Sequence, residues 1–407
     1  MVNERQEDGR IAGCVNSLLR NSRDALERAG RDGTKVVGYF PGGYVPEELI
    51  YASGAIPVCL ASGGDARVAD EALSIVPGVI CPFARAQLGQ MLLKADPFYR
   101  AVDLLVVAST CQHVKKIGDI WEYLEGPRVF KLGVPYEHDK DFEVEYYRDR
   151  LVALKERLEA LTGGAISDDR MSEAIGLYNR LRALLLEVSQ TRRLPKQAGD
   201  RSPAAIDTLD FVRLNHSSFY ADPVAMVATL EALQVAASRE ERLGGGEGDT
   251  TGGRPRLLLM GPNLAFGDYD LLTVVTAAGA DIVIEDVFEG MRDYRYTVET
   301  TGDPMDALAR GYLLERMPAA FMRGSLRPRL QSVLGLIRDF EVSGVIWYQL
   351  LCCEFYDEES YYFQTLLRDH GIPVLTVESD YHALDSGPLR TRLAAFVETL
   401  RGGPLDA

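Results

Sequence analysis

The stretch GVIWYQLLCCEFYDEESYYFQTLLRDHGIPVLTVESDYH, residues 344–382, decides the fold of this chain. It opens with an apolar run over residues 344–351, continues with a helical pattern over residues 357–370, and ends with a second apolar run over residues 372–377. A helix between two short apolar runs indicates two parallel strands joined by a crossover. Two adjacent cysteines, Cys352 and Cys353, stand where the first strand should end. That edge of an open α/β sheet is where ligands bind.

Two further cysteines follow apolar runs in the first half of the chain. Cys81 follows residues 75–80, and Cys111 follows residues 104–108. The sequence therefore predicts three strand-end cysteine positions, and because they are far apart in the chain, only the fold can bring them together. No C-x-x-C pair is present, and Cys111 and His113 are two residues apart, a spacing at which side chains on a helix do not face each other. A redox dithiol and a cysteine–histidine dyad are therefore disfavoured.

Thiolates from three strand ends fit a different chemistry. Soft thiolate ligands select iron–sulfur clusters, and a cubane held by three thiolates leaves one iron without a protein ligand, free to bind a substrate. The alternative is that all of these cysteines are buried packing residues, as we expect for Cys14, because free cysteine is among the most buried residue types. The spacing alone leaves both interpretations open.

Composition narrows the class of partner. The chain has 407 residues, 46% of them apolar, and a net charge of −16, which disfavours nucleic acid and anionic membrane surfaces as partners. No apolar run approaches the ~20 residues that span a bilayer, and the charged N-terminus lacks the apolar core of a secretory signal. We therefore expect a cytoplasmic protein, in which the six cysteines do not form a disulfide framework.

The pattern of apolar runs divides the chain into four parts. We predict an N-terminal helix over residues 1–31, an α/β domain over 32–138, a helical bridge with a Gly-rich loop over 139–253, and a second α/β domain over 254–407. Strand and helix patterns alternate in both outer parts, which predicts doubly wound parallel sheets. The Gly-rich loop, GGGEGDTTGG at 244–253, has no lysine and no strand-to-helix context, so we do not interpret it as a phosphate loop.

Five segments carry a resemblance to a known family. They are VVGYFPGGYVPEELIYASGAIPV (36–58), CPFARAQLG (81–89), DLLVVASTCQHVKK (103–116), GVIWYQLLCCEFYDEE (344–359) and GIPVLTVESDYHALDSGPLRTRLAAFVE (371–398). In this order they resemble the 2-hydroxyacyl-CoA dehydratase D-component / benzoyl-CoA reductase subunit family. The resemblance implies two Rossmann-like domains and a [4Fe-4S] cluster on three cysteines, with one iron lacking a protein ligand.

By position, the resemblance assigns Cys81, Cys111 and one of Cys352 and Cys353 as cluster ligands. Cys353 is favoured, because the sequence that follows it resembles the family's continuation. The chain departs from the family in three ways: Gln112-His113 stands where members often carry Asp-Gly, the cysteine at 352–353 is doubled, and Cys59 is additional. One branch of the family uses extra cysteines for a double-cubane cluster, which stays an alternative.

The resemblance also implies a reaction and partners. It implies an iron–sulfur subunit of a 2-hydroxyacyl-CoA dehydratase, a hydro-lyase that removes water from an (R)-2-hydroxyacyl-CoA through a ketyl radical to give an enoyl-CoA. The electron comes from an ATP-dependent iron–sulfur activator, and the subunit pairs with a paralogous subunit or a second copy. Alternatives are a benzoyl-CoA reductase-type subunit, a double-cubane small-molecule reductase, and a non-catalytic cluster-binding subunit.

Four more residues are candidates for the site. We expect Glu48, which follows the first strand, to assist proton handling. The alternative for Glu48, and our interpretation of Glu47, is a helix N-terminal charge. His113 is expected to hydrogen-bond substrate or cluster sulfide, the alternative being a solvated loop histidine. Arg390 and Arg392 are candidates for binding the CoA phosphates at a helix start, the alternative being a charged helix face.

Overall fold

The computed structural model describes residues 9–124, 126–193, 206–238, 253–382 and 387–402. Within these ranges the chain forms two four-stranded sheets in which every strand pair is parallel. Helices cover the sheets, so the inner strands are buried and read as continuous apolar runs. The α/β class and the two Rossmann-like sheets expected from the sequence are confirmed.

The first sheet has the strand order β2-β1-β3-β4. Its strands are β1 (Val36–Tyr39), β2 (Ile56–Cys59), β3 (Leu104–Ala108) and β4 (Arg128–Leu132). The helices of this half are α1 (Arg10–Asp32), α2 (Glu47–Ala52), α3 (Ala66–Glu71), α4 (Pro82–Leu93), α5 (Pro97–Arg100) and α6 (Gln112–Tyr123). The strand order reverses between β1 and β3, which creates a crevice at their carboxyl ends.

Four helices follow the first sheet. They are α7 (Asp141–Thr162), α8 (Asp168–Gln190), α9 (Thr208–Ser217) and α10 (Pro223–Ser238). They fall within the stretch interpreted from the sequence as a helical bridge, and no strand occurs among its described residues. Most of the Gly-rich segment, residues 244–252, lies outside the described ranges.

The second sheet repeats the first, with the order β6-β5-β7-β8. Its strands are β5 (Arg256–Met260), β6 (Asp281–Asp286), β7 (Gly344–Leu350) and β8 (Val374–Ser379). Its helices are α11 (Asp270–Ala277), α12 (Met291–Tyr294), α13 (Pro304–Arg310) with a π-helical turn over Gly311–Glu315, α14 (Leu326–Asp339), α15 (Glu354–Asp369) and α16 (Gly387–Arg401). In each sheet the third strand in chain order lies beside the first, so β3 and β7 are equivalent.

The two sheets are joined through the loops that follow β2 and β5. Ser62 and Phe266 form a parallel bridge, and the Gly63 N–H donates to the Phe266 carbonyl at 3.0 Å. Gly63 allows this approach, because a Cβ at this position would lie 2.5 Å from the Cβ of Ala265. The junction places the carboxyl ends of both sheets around one space.

One local expectation is wrong. Residues 75–80 do not form a strand, because Pro77 and Gly78 turn the chain there, and Cys81 directly precedes α4 instead of ending a strand. Proline has no N–H to give to a sheet, which explains why an apolar run of this length does not pair. Among the described helices, none combines the length and hydropathy needed to cross a bilayer.

Candidate metal centre

Three cysteines occupy the same local position. Cys81, Cys111 and Cys353 are the N-cap residues of α4, α6 and α15. Cys111 and Cys353 occupy equivalent places, because each lies in the connection after the third strand of its sheet. A helix amino terminus carries partial positive charge, which favours a thiolate over a thiol. The repeated placement therefore suits negatively charged sulfur ligands.

The thiols of both sheets face one space. Burial raises the pKa of Cys81 well above its usual value, and the thiols of Cys111, Cys353 and Cys352 raise it further. Burial likewise raises the pKa of Cys353 to about 12, with Cys111 as the next contribution. Such mutual effects require the sulfurs to lie near one another.

Backbone amides lower the pKa of each thiol, against the effect of burial. None of the three sulfurs accepts a cap hydrogen bond. The backbone N–H three residues on, at Ala84, Val114 and Tyr356, nevertheless lowers the pKa of the corresponding thiol against the larger effect of burial. A bound cation would add to this effect and convert the thiols to thiolates.

The donor set favours an iron–sulfur group over a structural zinc ion. Structural zinc sites are closed by four ligands that come in short local pairs. The three thiols come instead from the starts of three separate helices. Three soft sulfur donors of this kind fit an iron–sulfur group.

Cys352 differs from Cys353 in exposure and backbone conformation. Cys352 is exposed and has a left-handed backbone with φ of 61°, which is strained for a residue with a side chain. Cys353 is half-buried, and its carbonyl accepts a 3.3 Å hydrogen bond from Gln349. Cys352 thus forms the exposed turn before α15, and Cys353 is the less exposed of the two thiols.

His113 connects two of the cysteine segments. The backbone N–H of Cys81 donates to Nδ1 of His113 at 3.2 Å, so Nδ1 is unprotonated. Burial lowers the pKa of His113, with Glu354 opposing the shift, so the ring is neutral and Nε2 carries its proton. The structure thus places His113 with the cysteines, and the hydrogen that it can offer to a ligand is on Nε2.

Tyr381 has a buried hydroxyl without a partner. The residue lies two positions after β8, is 5% exposed, and its hydroxyl makes no hydrogen bond. The hydroxyl lies against Gly63, where an added Cβ would be 2.7 Å from it. Burial raises its pKa well above the usual value, and Asp268, Tyr348 and Cys81 add to the shift. A protonated, unsatisfied donor near Cys81 points to an acceptor that the described chain does not supply.

A small cavity lies between the sheets. Its volume is about 30 Å³, enough for about one water, and its lining includes Glu47, Cys59, Glu289, Asp293 and Arg316. Burial, with Asp293 and Glu48, raises the pKa of Glu47 well above its usual value. Burial raises the pKa of Glu289 to about 8. Glu289 is therefore largely protonated near neutral pH, and burial disfavours the anion of Glu47 in the same way.

Glu48 lies behind this cavity in an ion pair. It is fully buried and accepts hydrogen bonds from Arg182 at 2.7 Å and from the Tyr312 hydroxyl at 2.6 Å. Both carboxylate oxygens are thus engaged by neighbouring helices. The neighbouring Glu47, interpreted from the sequence as a helix-start charge, is the residue that lines the cavity.

The remaining candidates lie elsewhere. Arg390 and Arg392 are both exposed on α16, and Arg392 donates to the Thr376 carbonyl at 2.7 Å. Cys59 ends β2, and the groups that raise its pKa after burial are the cavity carboxyls Glu47, Asp293 and Glu289. Cys59 is therefore a cavity residue. Sequence reasoning missed Tyr381 and Glu289. The one signal that could have found them is their position just after a strand.

Comparison with known proteins gives one family. The model of the family described as 2-hydroxyglutaryl-CoA dehydratase, D-component, matches residues 43–400. A protein of Escherichia coli (strain K12) named as a dehydratase subunit, YjiM, is 27% identical over 360 residues, 88% of this chain and 89% of the relative.

Two further relatives match most of the chain. A benzoyl-CoA reductase subunit of Thauera aromatica is 24% identical over 379 residues, 90% of this chain and 91% of the relative. The (R)-phenyllactyl-CoA dehydratase beta subunit of Clostridium sporogenes is 23% identical over 381 residues, 92% of this chain and 94% of the relative.

Proposed function

The chain belongs to the 2-hydroxyglutaryl-CoA dehydratase D-component family, and on that premise we propose that it is the iron–sulfur subunit of a 2-hydroxyacyl-CoA dehydratase. The proposed reaction removes water from an (R)-2-hydroxyacyl-CoA to give an enoyl-CoA through a ketyl radical on the substrate. The observation that carries the proposal is the placement of Cys81, Cys111 and Cys353 as the N-cap residues of three helices, with the thiols of Cys111 and Cys353 raising the pKa of Cys81.

The proposed cofactor is a [4Fe-4S] cluster on these three cysteines. The donor set supports it, because three soft sulfurs lie near one another and helix amino termini face them. When bound, the cluster supplies one electron to the thioester and an iron without a protein ligand for a substrate oxygen. Tyr381, whose buried hydroxyl has no partner among the described residues, would donate its hydrogen to a sulfur of this group, and His113 would donate from Nε2.

The leaving hydroxyl of the substrate needs a proton. We assign that proton to the cavity carboxyls, and first to Glu47, because burial and its acidic neighbours disfavour its anion and because it lines the space between the sheets. Glu48, the residue first expected in this role, is engaged by Arg182 and Tyr312. Its part is to hold α2 in place so that Glu47 faces the cavity.

The proposed partners follow from the family. Relatives of this chain are named as subunits of dehydratases and of a reductase, so we propose that it pairs with a paralogous subunit or a second copy. The electron would come from an ATP-dependent iron–sulfur activator and return to the cluster after each turnover. Arg390 and Arg392, both exposed on α16, remain our candidates for the CoA phosphates.

A second function is kept because one relative is a benzoyl-CoA reductase subunit. In that function the same site would transfer electrons to a substrate that is reduced and released as the product. The two functions differ in their consumption of reductant: dehydration returns the electron, whereas reduction uses reductant in proportion to product.

The test is turnover of the reconstituted complex. The chain is purified anaerobically with its second subunit and activator, and given ATP, a trace of reductant and a panel of 2-hydroxyacyl-CoA thioesters. We expect enoyl-CoA in large excess over the reductant consumed, loss of turnover in Cys111→Ala, and normal turnover in Cys14→Ala. Product formed in proportion to reductant would favour the reductase, and normal turnover in Cys111→Ala would rule out the site.

A further inference from the structure

Three carboxylates meet in the connection between β4 and α7, outside the site described above. Glu137 and Asp139 belong to the loop, and Glu143 belongs to the first turn of α7. One carboxylate oxygen from each residue lies within 4.8 Å of the others. Like charges at this spacing repel one another unless a cation lies between them.

The Glu143 side chain shows that a partner is missing. Glu143 is 5% exposed, and its Oε2 is buried without a hydrogen-bond partner. A buried carboxylate oxygen is normally paired, because leaving one unsatisfied costs the full desolvation of that atom. An unpaired buried anion is explained by an ion or a water that completes it.

The basic residues nearby do not neutralise the negative charge of all three carboxylates. Lys140 and Arg323 both pair with Glu137, and their side chains are 48% and 82% exposed. Within the described ranges, neither Asp139 nor Glu143 forms an ion pair. Three carboxylates thus face two exposed cationic side chains, and the uncompensated charge lies at the buried end of the group.

We propose that Glu137, Asp139 and Glu143 form a site for a hard divalent cation of the Ca²⁺, Mg²⁺ or Mn²⁺ type. All three donors are carboxylate oxygens, which these cations prefer and softer metals do not. The amino terminus of α7 opposes a cation, so the site is of the weak class, with dissociation constants around 10⁻⁴ to 10⁻³ M.

The position of the site suggests what it stabilises. The Arg323 N–H donates to the Tyr136 carbonyl at 2.7 Å, so the loop that carries Glu137 is already tied to the segment before α14. A cation bound to Glu137, Asp139 and Glu143 fixes the same loop to α7. The loop between the two sheets is then held from both sides.

The test uses Mn²⁺ as probe, with binding to the full-length protein followed by EPR of free Mn²⁺ and by calorimetry. We expect one saturable site that Ca²⁺ or Mg²⁺ displaces, and at least about tenfold weaker binding in Glu143→Gln and in Asp139→Asn, each of which removes a ligand charge. Glu145→Gln is the matched control, because Glu145 is exposed on the same helix and should bind as the parent does.

Replacing Lys140 should strengthen the binding of the cation. Lys140 competes with the cation for Glu137, so Lys140→Gln should bind Mn²⁺ more tightly, by a factor of about three. The proposal is overturned if no saturable site appears up to about 10 mM, a tenfold margin over the weak class. It is also overturned if Glu145→Gln weakens binding as much as Glu143→Gln does, which would mean diffuse attraction to an acidic protein.

Discussion

The backbone N–H of Cys81 donates to Nδ1 of His113 across 3.2 Å, which fixes the start of α4 against the start of α6. Two cysteines that are 30 residues apart in the chain are thereby held in one arrangement. The contact lies beside the sulfurs and uses backbone and ring atoms alone. It orients the two cysteine segments whether or not His113 also touches a substrate.

His113→Ala should therefore loosen the cluster site. The lost hydrogen bond costs about 1 kcal/mol, and we expect faster loss of iron when the purified protein is exposed to a chelator. His113→Asn, whose side-chain oxygen can accept from the Cys81 N–H, should restore iron retention. Equal iron loss in the two variants would contradict a positioning role for Nδ1.

Tyr381→Phe should change a different property in the cluster-free protein than in the cluster-loaded protein. Without a cluster, removal of the orphaned hydroxyl should stabilise the protein or leave it unchanged, by up to about 1 kcal/mol. With a cluster, loss of a donor to sulfur should lower its reduction potential, measured by EPR-monitored redox titration. The control is Tyr348→Phe, whose hydroxyl already donates to Asp268 at 2.7 Å and which should destabilise the protein without shifting the potential. An unchanged reduction potential in Tyr381→Phe would contradict the hydrogen bond proposed from Tyr381 to a cluster sulfur.

The neighbours Glu47 and Glu48 should separate activity from stability. Glu48→Gln leaves the buried Arg182 guanidinium without its countercharge, so we expect a loss of about 3 kcal/mol in the free energy of unfolding. Glu47→Gln should unfold near the parent midpoint but lose about a hundredfold in turnover, the scale of a general acid. Denaturant unfolding and steady-state kinetics measure both. Reversed phenotypes would return the catalytic role to Glu48.

Glu289 should make stability depend on pH. Its pKa rises from an ordinary 4.5 to about 8 in the fold, because burial disfavours the anion. The folded state therefore holds a proton that the unfolded state releases, so this contribution is full below pH 4.5 and is lost as pH rises through 8. The melting temperature of the parent should fall over this range, and Glu289→Gln should flatten the profile. A steeper profile in the variant would contradict the assignment.

The inner strands of both sheets could be predicted from the sequence, because parallel strands that are buried on both faces are encoded by short apolar runs. The sequence also placed Cys111 and Cys353 at strand ends that turned out to be equivalent. It misjudged residues 75–80, where Pro77 and Gly78 turn an apolar run away from any sheet.

The cavity side of α2 was beyond sequence reasoning. Glu47 and Glu48 are adjacent on a six-residue helix, and the side that faces the cavity depends on where Arg182, 134 residues away, is placed. The unpaired hydroxyl of Tyr381 likewise lies against Gly63, which belongs to the loop after β2 of the first sheet. Such pairings are properties of the folded arrangement and leave no local pattern.

The most direct test of the account is iron and acid-labile sulfide, with EPR, on anaerobically purified protein and on Cys81→Ala, Cys111→Ala, Cys353→Ala and Cys14→Ala. The parent and Cys14→Ala should contain about four irons and four sulfides per chain. The other three variants should lose both, together with the EPR signal of the reduced cluster. Folded parent protein without iron after anaerobic reconstitution, or the same iron content in all variants, would contradict the account.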